Sequence, residues 1–493
     1  MEIYNTMTRR KETFQPREPG KVGIYVCGPT TYNYIHLGNA RPLVFFDVMR
    51  RYFAWKGYDV LYIQNFTDVD DKIINRAAQE GKEPLELSRS YIMEYFKDAD
   101  ALNVRRADMH PMVTEHINEI ISMVKGLVEN GSAYVVEGDV YFEVRKFAGY
   151  GKLSNRTLDD MQSGARVEVD TRKRDPFDFV LWKAAKPGEP YWDSPWGSGR
   201  PGWHIECSAM SLKYLGTNFD IHGGGFDLIF PHHENEIAQS EAATGKQFVR
   251  YWAHNGFITV NDEKMSKSLG NFFLVRDILA KFPPETVRFF LLSTHYRSPL
   301  DFDDENLSAA GRGLERIKTS IRLLLEALAK PEQKSTETLI AGSVINKNQT
   351  FEMRLDELKD SFEAAMDDDF NTALATGISF DLAREVNTAV QRLGETVSAV
   401  DRDVLQIAMD MFKDFNEVLG VFKVDSSGMM LLDSSAGGGS DLAEGLISLI
   451  IEMRQEARRK KDWGTADRIR DGLKKLGLLL EDTPQGVRWK KQG

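Results

Sequence analysis

The stretch from Cys27 to Asn39, CGPTTYNYIHLGN, brings a thiol, an imidazole and a glycine-containing turn together in one short segment. It follows an apolar run, Val22 to Val26, that predicts a strand, and it precedes an apolar run, Leu43 to Met49, that can be helical. A strand, a tight turn and a helix start bind phosphate well, because free backbone N–H groups and the positive helix end face the ligand. The stretch also carries one of the chain's two cysteines. We therefore expect one segment to hold both a nucleotide and a metal.

A second cationic segment, Lys264-Met265-Ser266-Lys267-Ser268, follows a predicted strand at Phe257–Val260. Two lysines three residues apart form a clamp that suits a polyphosphate whose charge rises during in-line displacement at phosphorus. Alone, KMSKS can occur by chance. Paired with His36-Leu37-Gly38-Asn39 at the start of a first βα unit, it favours a shared function over two unrelated surface loops.

The second cysteine, Cys207, precedes the polar segment PHHENE at 231–236. A helix that begins after its proline puts His232 and Glu236 at i and i+4, on one face, so that residues 233 and 234 point elsewhere. Two thiolates, an imidazole and a carboxylate can complete a zinc site. The residues alone leave an alternative open, in which the segment is an ordinary polar helix start and the cysteines are simply buried.

The HLGN and KMSKS pair resembles the HIGH and KMSKS signatures of class I aminoacyl-tRNA synthetases, and Asn39 in the fourth position resembles the HIGN form of cysteinyl-tRNA synthetases. Cys27, Cys207, His232 and Glu236 match the zinc ligands of that family position by position. The resemblance implies one Zn²⁺ per chain, which binds a substrate thiolate far better than a serine hydroxyl. Four protein ligands usually mark a closed site, so the substrate must make the zinc five-coordinate or loosen Glu236.

The resemblance also implies how the reaction is catalysed. His36 and Lys267 would stabilise the charge that develops at phosphorus, and Lys264 and the neutral donor Asn39 would assist. The residues expected to bind ATP are Thr30, His36, Gly38, Asn39, Gly224, Gly225, Asp227 and Lys267. The glycines of this set let the backbone approach the nucleotide, and Asp227 can accept from a ribose hydroxyl, although a simple turn with a helix cap is the alternative.

Two residues are expected to contact the substrate cysteine. Thr67 stands at the end of a predicted strand, where open α/β sheets place ligands, although its acidic neighbours could merely cap the next helix. Trp203 could wall the thiol pocket, with core packing as an equal alternative.

Alternating strands and helices predict an α/β fold with a Rossmann-like parallel-sheet catalytic domain. Residues 1–115 and 203–307 are expected to form its two halves, the second carrying the KMSKS loop, with a connective insertion at 116–202. Apolar positions with a period near 3.6 predict a helical bundle at 308–425, to which the resemblance assigns tRNA binding. A Gly/Ser-rich flexible linker is expected at 426–440. A small basic module follows at 441–493, and the resemblance implies that it reaches the anticodon region.

The composition is that of a globular protein, with 42% apolar and 28% charged residues among 493. Two cysteines give no disulfide framework, so a reducing cytoplasm is expected. We see no apolar run of the ~18 residues that span a bilayer, and no signal peptide in MEIYNTMTRRKETF, so no membrane association is expected. We expect a monomer.

The net charge of −11 argues against broad nonspecific nucleic-acid binding. Residues 441–493 hold 12 Lys and Arg against 9 Asp and Glu, a local net of +3, including the basic run 458–461. For that run, a solvated helix face and RNA contact are equally open. Trp463 and Trp489 suit base stacking or a small core, and we expect Trp463 to be core.

The implied function is activation of L-cysteine with ATP and Mg²⁺, followed by transfer to the 3′ end of tRNA(Cys). One alternative is an ATP-dependent cysteine ligase with an amino-sugar acceptor, which would lack the C-terminal tRNA-recognition segments. Another is a noncatalytic tRNA-binding paralogue, which would have lost the signature residues.

Overall fold

The computed structural model describes residues 1–158, 171–260, 263–264, 272–333, 338–342, 344–346, 349–432, 438–475, 478–483 and 486–491. The elements before the insertion are β1 (Glu2–Asn5), β2 (Arg10–Thr13), β3 (Lys21–Val26), α1 (Leu37–Trp55), β4 (Asp59–Gln64), α2 (Asp71–Glu80) and α3 (Pro84–Ala101). The next elements are α4 (Ile117–Glu129), β5 (Ala133–Val136), β6 (Asp139–Phe142), β7 (Phe179–Ala184) and β8 (Gly199–Pro201).

The chain then continues through α5 (Trp203–Leu215), β9 (Phe219–Gly225), α6 (Glu234–Thr244), β10 (Val249–Asn255), β11 (Ile258–Val260), β12 (Glu263–Lys264), α7 (Val275–Leu279), α8 (Pro284–Leu292) and β13 (Leu300–Asp301). The elements up to residue 431 are α9 (Asp304–Leu328), β14 (Val344–Asn346), β15 (Gln349–Thr350), α10 (Phe351–Asp367), α11 (Thr372–Val390), α12 (Ala399–Leu419), β16 (Lys423–Val424) and β17 (Met430–Leu431). The last are α13 (Gly438–Arg459), α14 (Trp463–Lys475), β18 (Leu478–Thr483) and β19 (Gly486–Lys491).

A four-stranded sheet in the order β10-β9-β3-β4 forms the centre of the larger unit, and all its pairings are parallel. The carboxyl ends of these strands therefore meet at one edge, where open α/β sheets bind ligands. The predicted α/β parallel-sheet fold is confirmed. Two details were not predicted from the sequence. The central sheet includes β10, and β11 lies in a separate three-stranded sheet, β12-β11-β13.

The segment expected to be an insertion contains an antiparallel sheet, β5-β6-β7-β8. Helices α9 to α12 pack against one another and belong to the same compact unit as the parallel sheet, which spans residues 1–278 and 284–432. Buried apolar side chains at the helical period, among them Leu314, Ile317, Ile321 and Leu324 of α9, form the core of this bundle. The domain boundaries drawn from the sequence remain predictions.

A buried ionic cluster ties α1 to the end of the helical bundle. Asp47 is 1% exposed and accepts hydrogen bonds from Arg50 at 2.9 Å, Arg51 at 2.7 Å and Arg288 at 2.8 Å. Arg288 also donates to the backbone oxygen of Leu419, the last residue of α12, at 2.8 Å. A buried carboxylate is tolerated only when it is fully paired. This cluster therefore fixes α1, the helix that carries the first signature, His36 to Asn39.

The second unit comprises residues 279–283 and 433–493. Within 426–440, the range expected from the sequence to be a linker, lies β17, and α13 begins at Gly438. Trp463, expected to be core, is the first residue of α14 and is 58% exposed. The side chain of Trp489 lies outside the described residues. Within the described part of the chain, no helix combines the length and apolarity needed to cross a membrane.

Candidate active site and metal centre

A cavity of about 640 Å³ opens where β3, β4, β9 and β10 end. Most of the residues predicted to act in catalysis, substrate binding or metal binding line it: Cys27, Thr30, His36, Gly38, Asn39, Thr67, Trp203, Cys207, Gly225, Asp227 and His232. Glu236 lies behind this wall, fully buried. Gly224 packs against the ring of His233, where an added Cβ would lie 2.9 Å from Cε1. The side chain of Lys264 and the whole of Lys267 lie outside the described residues.

The first signature forms the start of α1. His36 is the N-cap residue, and its backbone N–H donates to Asn39 Oδ1 at 3.2 Å. Asn39 thus caps the helix with its oxygen, and its amide nitrogen is the group that can donate to a phosphate. The imidazole of His36 meets Phe272 edge-on, with ring centroids 4.6 Å apart. This geometry puts an imidazole and a helix N-terminus at the cavity wall.

The chain directly after the second signature is paired with the first. Leu37 N donates to Phe273 O, and Val275 N donates to Ile35 O, both at 3.0 Å. At the other end of the signature, the backbone of Lys264 pairs with Thr259 in β12 and β11. The segment from Phe273 to Val275 is therefore hydrogen-bonded to the backbone beside the first signature, and residues 265–271 lie outside the described part.

Arg276 holds the segment that follows the second signature. Its guanidinium donates to Glu94 Oε2 at 2.8 Å and to Asp98 at 3.3 Å, both on α3. Its central carbon lies 3.5 Å from the ring centroid of Tyr34, a residue of the cavity wall. One side chain thus fixes both α7 and a wall of the cavity.

Close backbone contact between the ends of β3 and β4 sets the position of the first cysteine. A Cβ at Gly28 would lie 1.6 Å from the backbone oxygen of Asn65, so no other residue fits. Gly28 N also donates to Asn65 Oδ1 at 2.9 Å. Thr67, two residues beyond Asn65, donates through Oγ1 to Glu206 Oε2 at 2.8 Å. The threonine hydroxyl keeps lone pairs that can accept from a substrate ammonium.

The predicted metal ligands converge. Cys27 Sγ lies 3.6 Å from Cys207 Sγ and 3.5 Å from Glu236 Oε1. His232 Nε2 lies 3.1 Å from the same Glu236 oxygen, and all four ligand atoms lie within 4.8 Å of one another. Tetrahedral zinc would separate two sulfurs by about 3.8 Å and a sulfur from an oxygen by about 3.6 Å. The donor set therefore fits a zinc ion.

Burial and mutual charge shape the protonation of this cluster. Burial opposes ionisation of Glu236, but the charges of His222 and His232 outweigh it and lower the pKa of Glu236 to about 2. The hydrogen bond from Cys27 lowers the pKa of Cys207 to about 6, whereas burial raises the pKa of Cys27. Burial is likewise outweighed at His232, where Glu236 raises the pKa to about 10. Metal binding at these residues must displace protons, as is usual for thiolate and imidazole ligands.

A second set of possible metal ligands also includes Cys27 and Glu236. One of its members, His233, was expected from the sequence to point elsewhere. His233 does not point elsewhere, since its Nε2 lies 3.3 Å from Cys27 Sγ, and its Nδ1 lies 2.8 Å from His254 Nε2. Cys27, His222, His233 and Glu236 could also hold an ion. Of the two sets, only the one with Cys207 and His232 has three members on the cavity wall. His222 Nε2 instead contacts the other oxygen of Glu236 at 2.8 Å, as partners behind a metal ligand do.

Sequence reasoning missed the remaining histidines and the acid beside Cys207. His204 Nδ1 lies 3.0 Å from His232 Nδ1, and burial lowers the pKa of His204 to about 3, so it is a neutral neighbour. Burial raises the pKa of Glu206 well above its usual range. Trp203 stacks on His232 with centroids 4.4 Å apart, which puts its ring beside the proposed ligands. The dense WHIEC segment was the available signal for His204 and Glu206, whereas His222 and His254 lie outside both this segment and HHENE.

Known proteins resemble this chain along its whole length. Residues 13–312 match the family described as tRNA synthetases class I (C) catalytic domain, residues 361–423 the DALR domain, and residues 447–489 the cysteinyl-tRNA ligase anticodon binding domain. The third match argues against the amino-sugar alternative, which would lack such a domain. The methionyl-tRNA synthetase of Mycobacterium tuberculosis, solved with methionyl-adenylate, shares the fold at 16% identity, with a TM-score of 0.55 over 81% of this chain and 90% of that one.

Full-length relatives are much closer. The cysteine–tRNA ligase of Pelotomaculum thermopropionicum is 76% identical over 100% of both chains, and that of Desulforamulus reducens is 68% identical over the same shares. The cysteine–tRNA ligase of Clostridioides difficile is 51% identical, again over 100% of each. The noncatalytic alternative gains no support from these relatives. The chain therefore belongs to the cysteine–tRNA ligase family of class I aminoacyl-tRNA synthetases.

Proposed function

We propose that the chain activates L-cysteine with ATP and Mg²⁺ to cysteinyl-adenylate, transfers the acyl group to the 3′ end of tRNA(Cys), and selects cysteine through a zinc ion. One observation carries the zinc part of the proposal. Cys27, Cys207 and His232 line the same cavity as His36 and Asn39, so a thiol and an α-phosphate fall within reach of one small molecule.

Cys27, Cys207, His232 and Glu236 would hold the zinc. When bound, the ion supplies a Lewis-acid position that prefers a thiolate to a hydroxyl. The separations of the donor atoms, 3.6 Å between the sulfurs and 3.5 Å between sulfur and carboxylate, support this assignment. The choice between cysteine and serine is then chemical and does not depend on pocket size.

The other groups of the cavity bind and orient the reactants. Thr67 accepts from the ammonium of cysteine, Trp203 closes the thiol pocket, and Asp227 accepts from the ribose of ATP. The cysteine carboxylate attacks the α-phosphorus in line and pyrophosphate leaves. His36 and Lys267 neutralise the charge that grows on the phosphate, with help from Asn39 and Lys264. The chain acts by positioning and charge, so no protein nucleophile is needed.

Exchange of pyrophosphate into ATP tests the first half-reaction. We expect exchange that depends on cysteine and barely responds to serine, with about one zinc per chain. Cys207→Ser should lose both the zinc and the preference, because a hydroxyl is a poor zinc ligand. Lys213→Ala, an exposed change on the same helix α5, is the matched control and should keep both.

Two results would refute the proposal. Equal exchange with cysteine and serine in the unaltered protein would remove the argument for selection by zinc, as would full activity in protein that contains almost no zinc. Charging of tRNA(Cys) tests the second half-reaction, and failure to charge while exchange persists would point to another acceptor.

A further inference from the structure

Gln64, the last residue of β4, lies on the wall of the reaction cavity, the cavity of about 640 Å³ at the ends of the parallel strands. The residue is buried, with 5% of its surface exposed. A Cβ added at Gly28 would lie 3.4 Å from Gln64 Cγ, so this side chain passes beside the residue that follows Cys27. A polar side chain to which the proposed function gives no role therefore lies close to the proposed zinc centre.

The backbone of Gln64 is held on both sides. Its N–H donates to Met109 O at 3.1 Å, and its carbonyl oxygen accepts from His110 Nδ1 at 2.9 Å. The direction of the second bond is fixed, because His110 Nε2 accepts from the backbone N–H of Ala107 at 3.2 Å. Burial lowers the pKa of His110 to about 4, so the ring is neutral and carries its one proton on Nδ1. The position from which the Gln64 side chain starts is thus well defined.

Tyr95 of α3 sets the orientation of the side-chain amide. Its hydroxyl donates to Gln64 Oε1 and has no other acceptor among the residues that the structure describes. Burial raises the pKa of Tyr95 well above its usual range, so the hydroxyl keeps its proton. Turning the amide over would leave this buried hydroxyl without an acceptor, which is costly. The amide nitrogen Nε2 is therefore the group left over, and within the described part of the chain it has no hydrogen-bond partner but keeps some accessible surface.

The surroundings of this amide favour an anionic group in front of it. Gln64 and Tyr95 belong both to the wall of the reaction cavity and to that of a small cavity of about 10 Å³, room for about one water. The small cavity is also lined by three arginines and one aspartate, Arg50, Arg105, Arg106 and Asp47. Arg106 pairs with Asp100 at 2.6 Å, and Asp47 is shared by three arginines, so positive charge exceeds negative charge here. An N–H donor with positive charge behind it suits a carboxylate acceptor.

We propose that Gln64 binds the carboxyl group of the substrate cysteine, with Nε2 donating to the oxygen that does not attack phosphorus, and that Tyr95 positions this amide. This rests on the proposed function, in which the substrate thiol lies at the zinc site beside Cys27. Only Cβ and Cα separate the sulfur of cysteine from its carboxyl carbon, so a donor beside Gly28 is within reach of that carboxyl group. When the other oxygen bonds to phosphorus and pyrophosphate leaves, this oxygen becomes the carbonyl oxygen of the adenylate and still accepts from Nε2.

The kinetics of cysteine-dependent pyrophosphate exchange test the contact. Gln64→Ala should raise KM for cysteine about tenfold and change kcat far less, because a hydrogen bond to a charged group is lost. Gln64→Met, of similar length but without the donor, should behave in the same way. The inhibition constant of cysteamine, which has the thiol and the amine of cysteine but no carboxyl group, should stay unchanged in both variants. Gln79→Ala, an exposed change on α2, is the matched control, and thermal unfolding checks that each variant is folded.

The role of Tyr95 is tested by a double-mutant cycle. Tyr95→Phe should raise KM for cysteine less than Gln64→Ala does, and it should have no further effect in the Gln64→Ala protein, because it acts only through the amide. Tyr91→Phe is the matched control on the same helix, since the Tyr91 hydroxyl contacts Glu80 instead, at 3.5 Å.

Three results would overturn the assignment. An unchanged KM for cysteine in Gln64→Ala and Gln64→Met would show that the amide does not contact the substrate. A parallel rise in the inhibition constant of cysteamine would show that the whole pocket is distorted and that no carboxyl contact is lost. Effects of Gln64→Ala and Tyr95→Phe that multiply in the double variant would show that Tyr95 does not position the amide. Absence of cysteine-dependent exchange in the unaltered protein would instead refute the proposed function.

Discussion

Adding one methyl group at Gly28 should empty the metal centre without unfolding the protein. A Cβ there would lie 1.6 Å from the backbone oxygen of Asn65, whereas Cβ atoms essentially never approach another atom closer than 3.0 Å. The ends of β3 and β4 must therefore separate by about 1.4 Å, because both partners are backbone and neither can rotate away. Metal–ligand distances tolerate about 0.2 Å. Cys27, the residue before Gly28, cannot then stay in place relative to Cys207.

The assay for Gly28→Ala combines zinc content, cysteine-dependent pyrophosphate exchange and urea unfolding. We expect the zinc-to-protein ratio to fall well below one and exchange with cysteine to fall at least tenfold, with a stability loss of about 1–3 kcal/mol from overpacking. Gly126→Ala is the matched control, because Gly126 lies within α4 and its added Cβ meets nothing within 4 Å. A Gly28→Ala protein with a full zinc complement and normal KM for cysteine would refute the reasoning that this contact sets the metal geometry.

Three other perturbations act on the site from a distance or remove its metal. Asp47→Asn should destabilise the fold by about 3–5 kcal/mol at pH 7. Burial opposes ionisation of Asp47, but Arg288 and its neighbours lower the pKa of Asp47 below the ordinary range. The stability that this carboxylate contributes is therefore present above about pH 4 and lost as the pH falls further. If the free energy of unfolding in urea falls equally with acid in the variant and the unaltered protein, this reasoning is wrong. Arg276→Ala should lower kcat for exchange more than it raises KM for cysteine, because α7 and Tyr34 lose their anchor, with Arg276→Lys restoring part of kcat; an effect on KM alone would argue against positioning. Removing zinc with a chelator should abolish cysteine-dependent exchange until zinc is restored, and undiminished exchange in the stripped protein would exclude a role for the metal.

The elements around the first signature could be predicted because local pattern and tertiary position agree there. The apolar run before Cys27 forms β3, and the run after Asn39 lies in α1, as the spacing indicates. The close approach of Gly28 to Asn65 could not be predicted, because it joins residues 37 positions apart across two parallel strands. The sequence shows a glycine at position 28, but it does not show that the backbone of Asn65 excludes any side chain there.

The positions of the histidines were only partly predictable from the helical period. On a helix, residues three apart are neighbours, as are residues four apart. His233 therefore faces Glu236, with 3.8 Å between Nε2 and Oε1, and His232 faces the same carboxylate. His222 lies on β9, which no periodicity connects with α6, and only the fold brings its ring to Glu236. The pattern could name ligand types but could not separate the ligands from the partners behind them.

In the proposed function, the parallel sheet links selection of the amino acid mechanically to its activation. Cys27 follows β3, Thr67 follows β4 and Gly225 ends β9, so groups assigned to three different tasks stand on one edge whose strands are hydrogen-bonded in fixed register. His36 is linked to the same edge through nine residues of chain that follow Cys27. A substrate thiol held at the proposed zinc site would therefore define where the substrate carboxylate lies relative to α1. In the proposed function a metal, rather than pocket volume, makes the choice between thiol and hydroxyl. A site of that kind can be discriminating without a second, hydrolytic site to remove serine.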